Sequence, residues 1–161
     1  MVLDLTIKTV SDESDLGRLK RFLHTQELWY PNYHDWVEDV CITEIDSGFK
    51  TGIIAYSKGD IIGDAIYQPH KELPRTREFK NMRVHPKFGR RDLGHFLLRQ
   101  VEEEDKETFD RIILDTDVRN KGVIEFLRFC DYKPIMQMPL YSQDNEDVIM
   151  IKEISSSYKS F

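Results

Sequence analysis

One stretch of the sequence, MRVHPKFGRRDLGHFLL from Met82 to Leu98, combines residue types that suit an anion-binding site. A β-rich run stops at Pro86, a short basic loop follows, and a helix with an apolar face begins near Leu93. The first N–H groups of a helix lack intrahelical partners and carry partial positive charge, so they attract anions such as a pyrophosphate. The loop and the helix start also contain glycines for close backbone approach and arginines for charge: Gly89, Gly94, Arg90 and Arg91. The stretch predicts a phosphate site, with an ordinary strand-turn-helix connection as the alternative.

Hydrophobic periodicity predicts the elements that position this stretch. Their order along the chain is strand, two helices, three strands, helix, strand, helix and two strands. A mixed sheet flanked by helices, and therefore an α/β fold, follows from this order. The predicted strands cover Leu3 to Val10, a hairpin from Lys50 to Gln68, Glu78 to His85, Arg111 to Asp115, Tyr132 to Tyr141 and Asp147 to Glu153. The predicted helices run to about Gln26, from Tyr33 to Ile45, from Leu93 to about Asp105, and from Val123 to Cys130.

Length and composition restrict the class of protein. The chain has 161 residues, of which 40% are hydrophobic and 32% charged, as is typical of one soluble globular domain. A net charge of -6 without a long basic run argues against a nucleic-acid duplex as ligand. Cys41 and Cys130 are too few for a disulfide framework and show no zinc-ligand spacing, so no metal site is expected. Without signal-peptide features or a membrane-spanning apolar stretch, the protein is expected to be cytoplasmic and not membrane-bound.

Four segments resemble the GNAT N-acetyltransferase superfamily, in the family's order. VHPKF, the basic glycine loop and LGHFLL resemble its acyl-CoA motif, a Val-x-Pro followed by Gln/Arg-x-x-Gly-x-Gly/Ala and a leucine-rich helix. GDIIGDAIY resembles the second hairpin strand, LDTDVRNKGVIEFLRFCDYKPI the later strand, asparagine, helix and turn, and EDVIMIKEI the closing strand. The resemblance extends from about Lys50 to Ile154. It implies a single GNAT domain over residues 1–154 with a polar tail at 155–161, built on a central mixed twisted β-sheet of about six to seven strands flanked by about four α-helices.

The resemblance also implies an activity, the transfer of an acetyl group from acetyl-CoA to a primary amine by direct attack in a ternary complex. The acceptor is expected to be an amine-bearing small molecule or protein, and a homodimer is compatible with the family. A backbone N–H near Val84 would polarise the thioester carbonyl, and Asn120 would contact the pantetheine side or order its own loop. The cofactor-binding residues implied by the resemblance are Met82, Val84, Gly89, Arg90, Arg91, Asp92, Leu93, Gly94 and Asn120.

The transfer needs a general base, because the ammonium must lose a proton before its nitrogen can attack. The resemblance implies that this base is a carboxylate acting through water. Glu78 lies two strand alternations before Met82 and on the same face of the strand. Asp115 and Asp117 follow the next strand. Each of these acids is a candidate base acting through water, and each is also compatible with a solvated or helix-capping role.

The proton donor to the departing thiolate is a separate question. The family commonly carries a tyrosine seven residues after the asparagine, and this chain has Leu127 there. Tyr132, Tyr141 or a water would therefore donate the proton, with Tyr132 also compatible with a core position.

Two departures from the family pattern support an alternative function. The Gln/Arg position of the phosphate loop is Gly89, and the first family glycine is Asp92. The Asp92 carboxylate either lies where diphosphate oxygens approach or caps the helix. Together with Leu127, it favours a catalytically weak or inactive GNAT-fold module that binds CoA or a protein partner.

An aromatic group near the first helices has two interpretations. Its members are Trp29, Tyr30, Tyr33 and Trp36. They line an acceptor pocket, or they pack the helices onto the sheet.

Overall fold

The structure, a computed structural model, describes residues 4–26, 31–88 and 91–154. Within these ranges seven strands are hydrogen-bonded in the order β1-β2-β3-β4-β5-β7-β6. The pairs β1–β2, β2–β3, β5–β7 and β6–β7 are antiparallel, whereas β4 and β5 pair parallel, so the predicted mixed α/β fold is confirmed. The strands are β1 Thr6–Thr9, β2 Thr51–Ser57, β3 Asp60–Pro69, β4 Thr76–Val84, β5 Arg111–Asp117, β6 Lys133–Ser142 and β7 Asn145–Glu153.

The predicted order of helices and strands is also confirmed. The second predicted helix is irregular, since its two α-helical parts are separated by a π-helical turn at Val37–Cys41. The α-helices are α1 Glu13–His24, α2 Tyr33–Trp36, α3 Ile42–Asp46, α4 Arg91–Glu103 and α5 Lys121–Phe129. Short 3-10 turns lie at Pro86–Phe88 and Lys106–Thr108.

The chain forms two compact units. Unit 1 contains the described residues up to Gln68 together with Asn81–Val101, and unit 2 contains Pro69–Lys80 and the described residues from Glu102 onward. The end of β4 thus belongs to unit 1 and its beginning to unit 2. The expectation of one domain over residues 1–154 stays a prediction.

In unit 1, α1 packs on the β1-β2-β3 sheet. Asp12 caps α1 by accepting a hydrogen bond from the Asp15 backbone N–H at 2.8 Å. Asp15 itself is buried, and it accepts hydrogen bonds from Tyr56 Oη at 2.7 Å and Lys8 Nζ at 2.8 Å. Both charge-assisted contacts fix α1 on the sheet. The apolar core of this unit consists of Leu19, Leu23, Tyr33, Val37, Cys41, Ile45, Ile54, Tyr56 and Ile66.

The predicted hairpin turn between β2 and β3 has the geometry that its residue types favour. Lys58 and Gly59 have φ angles of 52° and 83°, and Ser57 pairs with Asp60. Positive φ at both central residues is the geometry that matches the twist of two antiparallel strands. The turn therefore brings β3 back along β2 with Asp64 opposite Ile54.

Unit 2 is built around β5, which pairs with the first residues of β4 and with β7. Ile112, Leu114 and Met150 are buried. Helix α5 ends at Phe129, and Asp131, with φ of 71°, turns the chain into β6. The Tyr132 backbone N–H then bonds to the Leu127 carbonyl at 2.9 Å, which closes the helix end.

Candidate functional site

The predicted anion site lies in unit 1, where β4 leads into α4. After Val84, the His85 backbone N–H donates to the Ile62 carbonyl at 2.7 Å and holds the strand end against β3. The following 3-10 turn is closed by Phe88 N–H to the His85 carbonyl at 2.7 Å. His85 Nδ1 also accepts from the Lys87 backbone N–H at 3.2 Å, so this histidine organises the turn.

Helix α4 starts at Arg91, two residues before the predicted start near Leu93. Asp92 therefore lies exposed inside the first turn and does not occupy the N-cap position. Its carboxylate interacts favourably with the positive end of the helix. Leu93 and Gly94 are buried. Gly89, Arg90 and the side chain of Arg91 lie outside the described residues.

The position of α4 depends on Gly63 of β3. A Cβ atom at this glycine would lie 3.1 Å from the Arg83 carbonyl oxygen and 3.1 Å from Leu97 Cδ1. A Cβ atom there would require the Arg83 backbone or Leu97 to move by a few tenths of an ångström, so glycine favours this close approach of helix and strand. The half-buried Met82 and Val84 side chains alternate along β4 with those of Asn81 and Arg83, which point to the other face.

Unit 2 brings together two of the predicted acids. Burial raises the pKa of Asp115, while a hydrogen bond with Tyr141 and the charge of Lys80 lower it and the charge of Glu78 raises it. Glu78 forms an ion pair with Lys80 at 3.4 Å, with both side chains about four-fifths buried. Three residues from β4 and β6 thus act on the Asp115 carboxylate of β5. Lys80 was not predicted, although its spacing of two residues from Glu78 puts it on the same face.

Tyr132, the candidate proton donor, is buried with an exposed fraction of 1%. Its hydroxyl donates to Glu102 Oε2 at 2.9 Å, and Lys152 Nζ donates to Glu102 Oε1 at 3.0 Å. Burial and the neighbouring Glu102 carboxylate raise the pKa of Tyr132, so the hydroxyl keeps its proton. These contacts favour the core position that was the second interpretation.

Asn120 stands at the start of α5, and its Nδ2 approaches Thr116 Oγ1 at 3.4 Å. The neighbouring Asp117 is buried and binds Arg119 through both the guanidinium and the backbone N–H, with distances of 2.7 to 2.9 Å. The Arg119 contact lowers the pKa of Asp117, which makes it a poor proton acceptor. These hydrogen bonds order the loop before α5, which is one of the two roles expected for Asn120.

A buried carboxylate in unit 1 was missed by the sequence reasoning. Asp64 on β3 has an exposed fraction of 0% and accepts a hydrogen bond from Asn81 Nδ2 at 2.9 Å. Burial raises the pKa of Asp64 to about 7, although Asn81 and Arg83 oppose this shift. The one available signal was an acid within the apolar run IIGDAIY.

The aromatic group near the first helices is described in part. Tyr33 belongs to the core of unit 1, and Trp36 packs against that core with its ring 6.0 Å from the Tyr33 ring. This arrangement favours packing for these two residues. Trp29 and Tyr30 lie outside the described residues.

Within the described ranges, no group of three or more His, Cys, Asp or Glu side chains is arranged to hold a metal ion. None of the helices in residues 4–26, 31–88 and 91–154 is long and apolar enough to cross a bilayer.

Comparison with sequence families gives one match. The model of the acetyltransferase (GNAT) family matches residues 18–132, which is more than half of the chain. This range includes β2 to β5, α4 and α5. No relative was found among curated protein sequences.

Comparison with solved structures shows the fold. A Desulfovibrio desulfuricans protein assigned to the GNAT acetyltransferases has a TM-score of 0.81 at 16% identity, covering 94% of this chain and 99% of its own. The ribosomal-protein-S18-alanine N-acetyltransferase of Escherichia coli has a TM-score of 0.72 at 17% identity, covering 98% of both chains. The Salmonella typhimurium protein yncA, solved with its cofactor acetyl-CoA, has a TM-score of 0.71 at 15% identity, covering 95% of both.

Proposed function

Because the chain belongs to the GNAT acetyltransferase family, we propose that it transfers an acetyl group from acetyl-CoA to a primary amine by direct attack in a ternary complex. The observation that carries the proposal is the strand-turn-helix connection from β4 to α4, inside the region that the family model matches. The acetyl-CoA bound to the Salmonella typhimurium protein supports the choice of acyl donor. The acceptor of the Escherichia coli enzyme, a ribosomal-protein alanine, supports an amine as the acceptor class.

The residues of unit 1 fit a diphosphate. Helix α4 is 13 residues long, so its dipole is fully developed, and the N–H groups of its first turn lack intrahelical partners. We assign the diphosphate to the backbone from Gly89 to Gly94, with Arg90 and Arg91 adding charge. The backbone of β4 at Met82 and Val84 would bind the pantetheine arm and polarise the thioester carbonyl. Acetyl-CoA supplies the activated acetyl group.

Asp115 is the stronger candidate for the base. A carboxylate whose pKa is raised by burial is better matched to removing a proton near neutral pH than an ordinary acid. Tyr141 and Lys80 stabilise its charged form, so they reduce the rise in pKa that burial causes. Glu78 is the second candidate, with its charge partly held by Lys80.

More than one group is a candidate for the proton donor to the thiolate. Tyr132 remains a candidate, but its hydroxyl is engaged with Glu102. Tyr141 is half-exposed and hydrogen-bonded with Asp115, so it can exchange its proton with solvent. A thiolate is also a fair leaving group without assistance, so the absence of the family's tyrosine at Leu127 does not prevent turnover.

A second function is favoured by two observations. The exposed Asp92 carboxylate lies in the first turn of α4, and Leu127 is buried where the family has its tyrosine. Both features suit a module that binds CoA or a protein partner without transferring the acetyl group.

One experiment separates the two functions. Release of the CoA thiol is followed with acetyl-CoA and a panel of polyamines, amino acids and peptides with free N-termini, while acetyl-CoA binding is measured by calorimetry. Amine-dependent thiol release supports the transferase. Binding without release on every amine supports a module that binds CoA. The absence of binding at millimolar acetyl-CoA contradicts the transferase and supports a module that binds a protein partner.

A further inference from the structure

The two faces of the sheet in unit 2 differ in how far their side chains are buried. Successive residues of a strand project to opposite faces, and residues paired directly across two antiparallel strands project to the same face. On one face the apolar side chains of β5 and β7 are buried, and these are Ile112, Leu114, Val148 and Met150. On the other face Ile113, Ile149 and Ile151 are only half-buried. This second face is therefore accessible to a ligand.

The strand register adds two methionines of β6 to the accessible face. Met136 pairs with Ile149, which pairs in turn with Asp115 of β5. Met138 pairs with Asp147 and lies on the same face as Met136, because residues two apart in a strand share a face. Both methionines are exposed, with exposed fractions of 54% for Met136 and 37% for Met138. We name the side chains of Ile113, Ile149, Ile151, Met136 and Met138 the open face.

The open face borders the candidate base. Asp115, Ile149 and Met136 form one row across β5, β7 and β6. Neighbouring strands lie about 4.8 Å apart, so this row is roughly 10 Å long. A ligand with its amino group at Asp115 would therefore place the rest of its atoms against Ile149 and Met136.

Tyr141 of β6 projects over the same face. Its hydroxyl forms a hydrogen bond with Asp115, whose side chain belongs to this face. Because β7 lies between β6 and β5, the phenol ring extends across β7 toward the carboxylate. The ring is half-exposed. A tyrosine ring and two methionine thioethers on one surface are favourable partners for a second aromatic ring.

The charges at the edge of the open face favour a cation. Those that act on Asp115 are the ammonium of Lys80 and the carboxylate of Glu78, which form an ion pair at 3.4 Å. When both acids are ionised, the two carboxylates and one ammonium have an excess of one negative charge. A ligand with one positive charge balances this excess, whereas an anionic ligand is repelled.

The apolar character of the open face restricts the remainder of the ligand. Its five members are isoleucines and methionines, which offer no hydrogen-bond partner beyond the weakly accepting thioether. A hydroxyl group or a second ammonium placed there would lose water without gaining a partner, which is unfavourable. An apolar group placed there is stabilised in proportion to the area that it removes from water.

Resting on the proposed acetyltransferase function, we propose that the acceptor is a primary arylalkylamine, with its ammonium at Asp115 and its aromatic ring on the open face. Ile149 and Met136 contact the ring from the sheet, and Tyr141 contacts it from the side. The open face thus selects the acceptor by the group that its amine carries.

The first test compares primary amines that differ in the group at the end of an ethylamine chain. Acetyl transfer is measured with phenethylamine, ethanolamine and ethylenediamine at saturating acetyl-CoA. The value of kcat/KM should be at least about ten-fold higher for phenethylamine than for the other two, as burial of part of the ring predicts. Equal values for the three amines, or a preference for ethylenediamine, overturn the proposal.

Calorimetry in the presence of free CoA tests the two ends of the ligand without turnover. Phenethylamine is compared with phenethyl alcohol, which lacks the ammonium, and with ethanolamine, which lacks the ring. Each change should weaken binding at least about ten-fold. Phenethyl alcohol that binds as tightly as phenethylamine, or phenethylamine that does not bind, overturns the proposal.

Met136→Ser tests the open face itself. Because Met136 is exposed, the variant should remain folded, which circular dichroism and melting curves check. Its KM for phenethylamine should rise about five-fold relative to its KM for ethanolamine, since Met136 contacts the ring and not the reacting atoms. Met136→Leu keeps an apolar side chain and should retain most of the preference. Phe129→Ser, exposed at the end of α5, is the matched control and should behave as the native protein does.

An unchanged ratio of the two KM values in a folded Met136→Ser protein also overturns the proposal. Failure of this proposal is distinguishable from failure of the proposed function. Phenethylamine binding without acetyl transfer would retain the open face as a binding site and exclude the transferase. Acetyl transfer to all three amines at equal efficiency would retain the transferase and exclude selection by the open face.

Discussion

At the scale of single residues, the environment of Asp115 decides its chemistry. Burial alone would make this carboxyl group retain its proton, and Tyr141 and Lys80 act in the opposite direction. The balance leaves a carboxylate that ionises at higher pH than an exposed aspartate and holds a proton more strongly once it has taken one. This is the combination that general-base catalysis near neutral pH requires.

Replacing Asp115 by Asn should reduce kcat by about two to four orders of magnitude, the usual effect of removing an acid–base group. Acetyl-CoA affinity should be unchanged, because the assigned cofactor residues are elsewhere. Steady-state kinetics and calorimetry measure the two quantities. Asp144→Asn, an exposed acid in the β6-β7 turn, is the control and should retain full activity.

The pH profile provides an independent check of the same residue. Since the pKa of Asp115 is raised, kcat/KM should increase with pH through a limb that lies above the ordinary aspartate range. In Asp115→Asn the residual activity should lose this limb. A profile with the limb intact in the variant would assign the base to another residue, with Glu78 the first to be tested.

Asp64 should make the stability of the protein depend on pH. Its pKa is raised from 3.8 to about 7 on folding, so the folded state holds a proton that the unfolded state has released between these values. The contribution of Asp64 to the free energy of unfolding therefore falls as pH rises through this window, by up to about 4 kcal/mol in total. Asp64→Asn keeps an acceptor for Asn81 and should remove most of this dependence.

Urea unfolding of Asp64→Asn at several pH values between 4 and 8 measures this effect. The variant should be more stable than the native protein at the upper end and similar at the lower end. Asp60→Asn, at the exposed start of β3, should follow the native curve. If the difference in stability between the variant and the native protein did not grow with pH in this window, the raised pKa of Asp64 would be contradicted.

At the scale of elements, the packing of α4 on β3 is the contact that holds the proposed cofactor site together. Gly63→Ala would bring a methyl group within 3.1 Å of a backbone oxygen and of Leu97. We expect a loss of about 1 to 3 kcal/mol in the free energy of unfolding, together with weaker acetyl-CoA binding as α4 shifts. Denaturant unfolding and calorimetry measure both effects.

Gly122→Ala is the matched control for this change. Nothing lies within 4 Å of a Cβ atom at Gly122, which is the second residue of α5. Alanine there should stabilise the protein by up to about 1 kcal/mol, because it restricts the unfolded chain and favours helix. If both glycine variants behaved alike, the close approach at Gly63 would not be the cause.

The helices and strands were predictable because residues close together in the sequence determine them. The Lys58-Gly59 turn, the Asp12 cap and the apolar face of α5 are signals within a few residues of the structure they form. The π-helical turn was not predictable from periodicity alone. The partners of Asp115 and Asp64 were not predictable either. These contacts join elements that are distant in the sequence, and they depend on the register of the sheet.

At the scale of the whole molecule, binding of the acyl donor should increase the stability of the folded protein. A ligand that binds the folded state alone stabilises it by about 2.7 kcal/mol at a concentration one hundred times its dissociation constant. Acetyl-CoA and free CoA should therefore raise the melting temperature. Pantetheine, which lacks the diphosphate, should have little effect, and an equal effect of pantetheine and CoA would argue against the α4 anion site.

Salt should modulate the same binding. The net charge of -6 repels an anionic ligand at long range, and added salt screens this repulsion. Salt also weakens local attraction at the helix start, so the two effects oppose each other. A location in the cytoplasm stays a prediction at this scale, and a homodimer stays compatible with the family.

The π-helical turn has a consequence for the length of the segment that contains it. Tyr33, Val37, Cys41 and Ile45 are all buried and are spaced four residues apart. In a regular α-helix each such step overshoots a full turn by about 40°, so Tyr33 and Ile45 would diverge by about 120°. The π-helical turn contains one residue more than an α-helical turn. The twelve residue-to-residue steps from Tyr33 to Ile45 therefore rotate the chain about as far as eleven steps of a regular α-helix would. A shortened chain lacking one exposed residue of this turn, such as Asp39, should keep the same four side chains inside while winding as an uninterrupted α-helix.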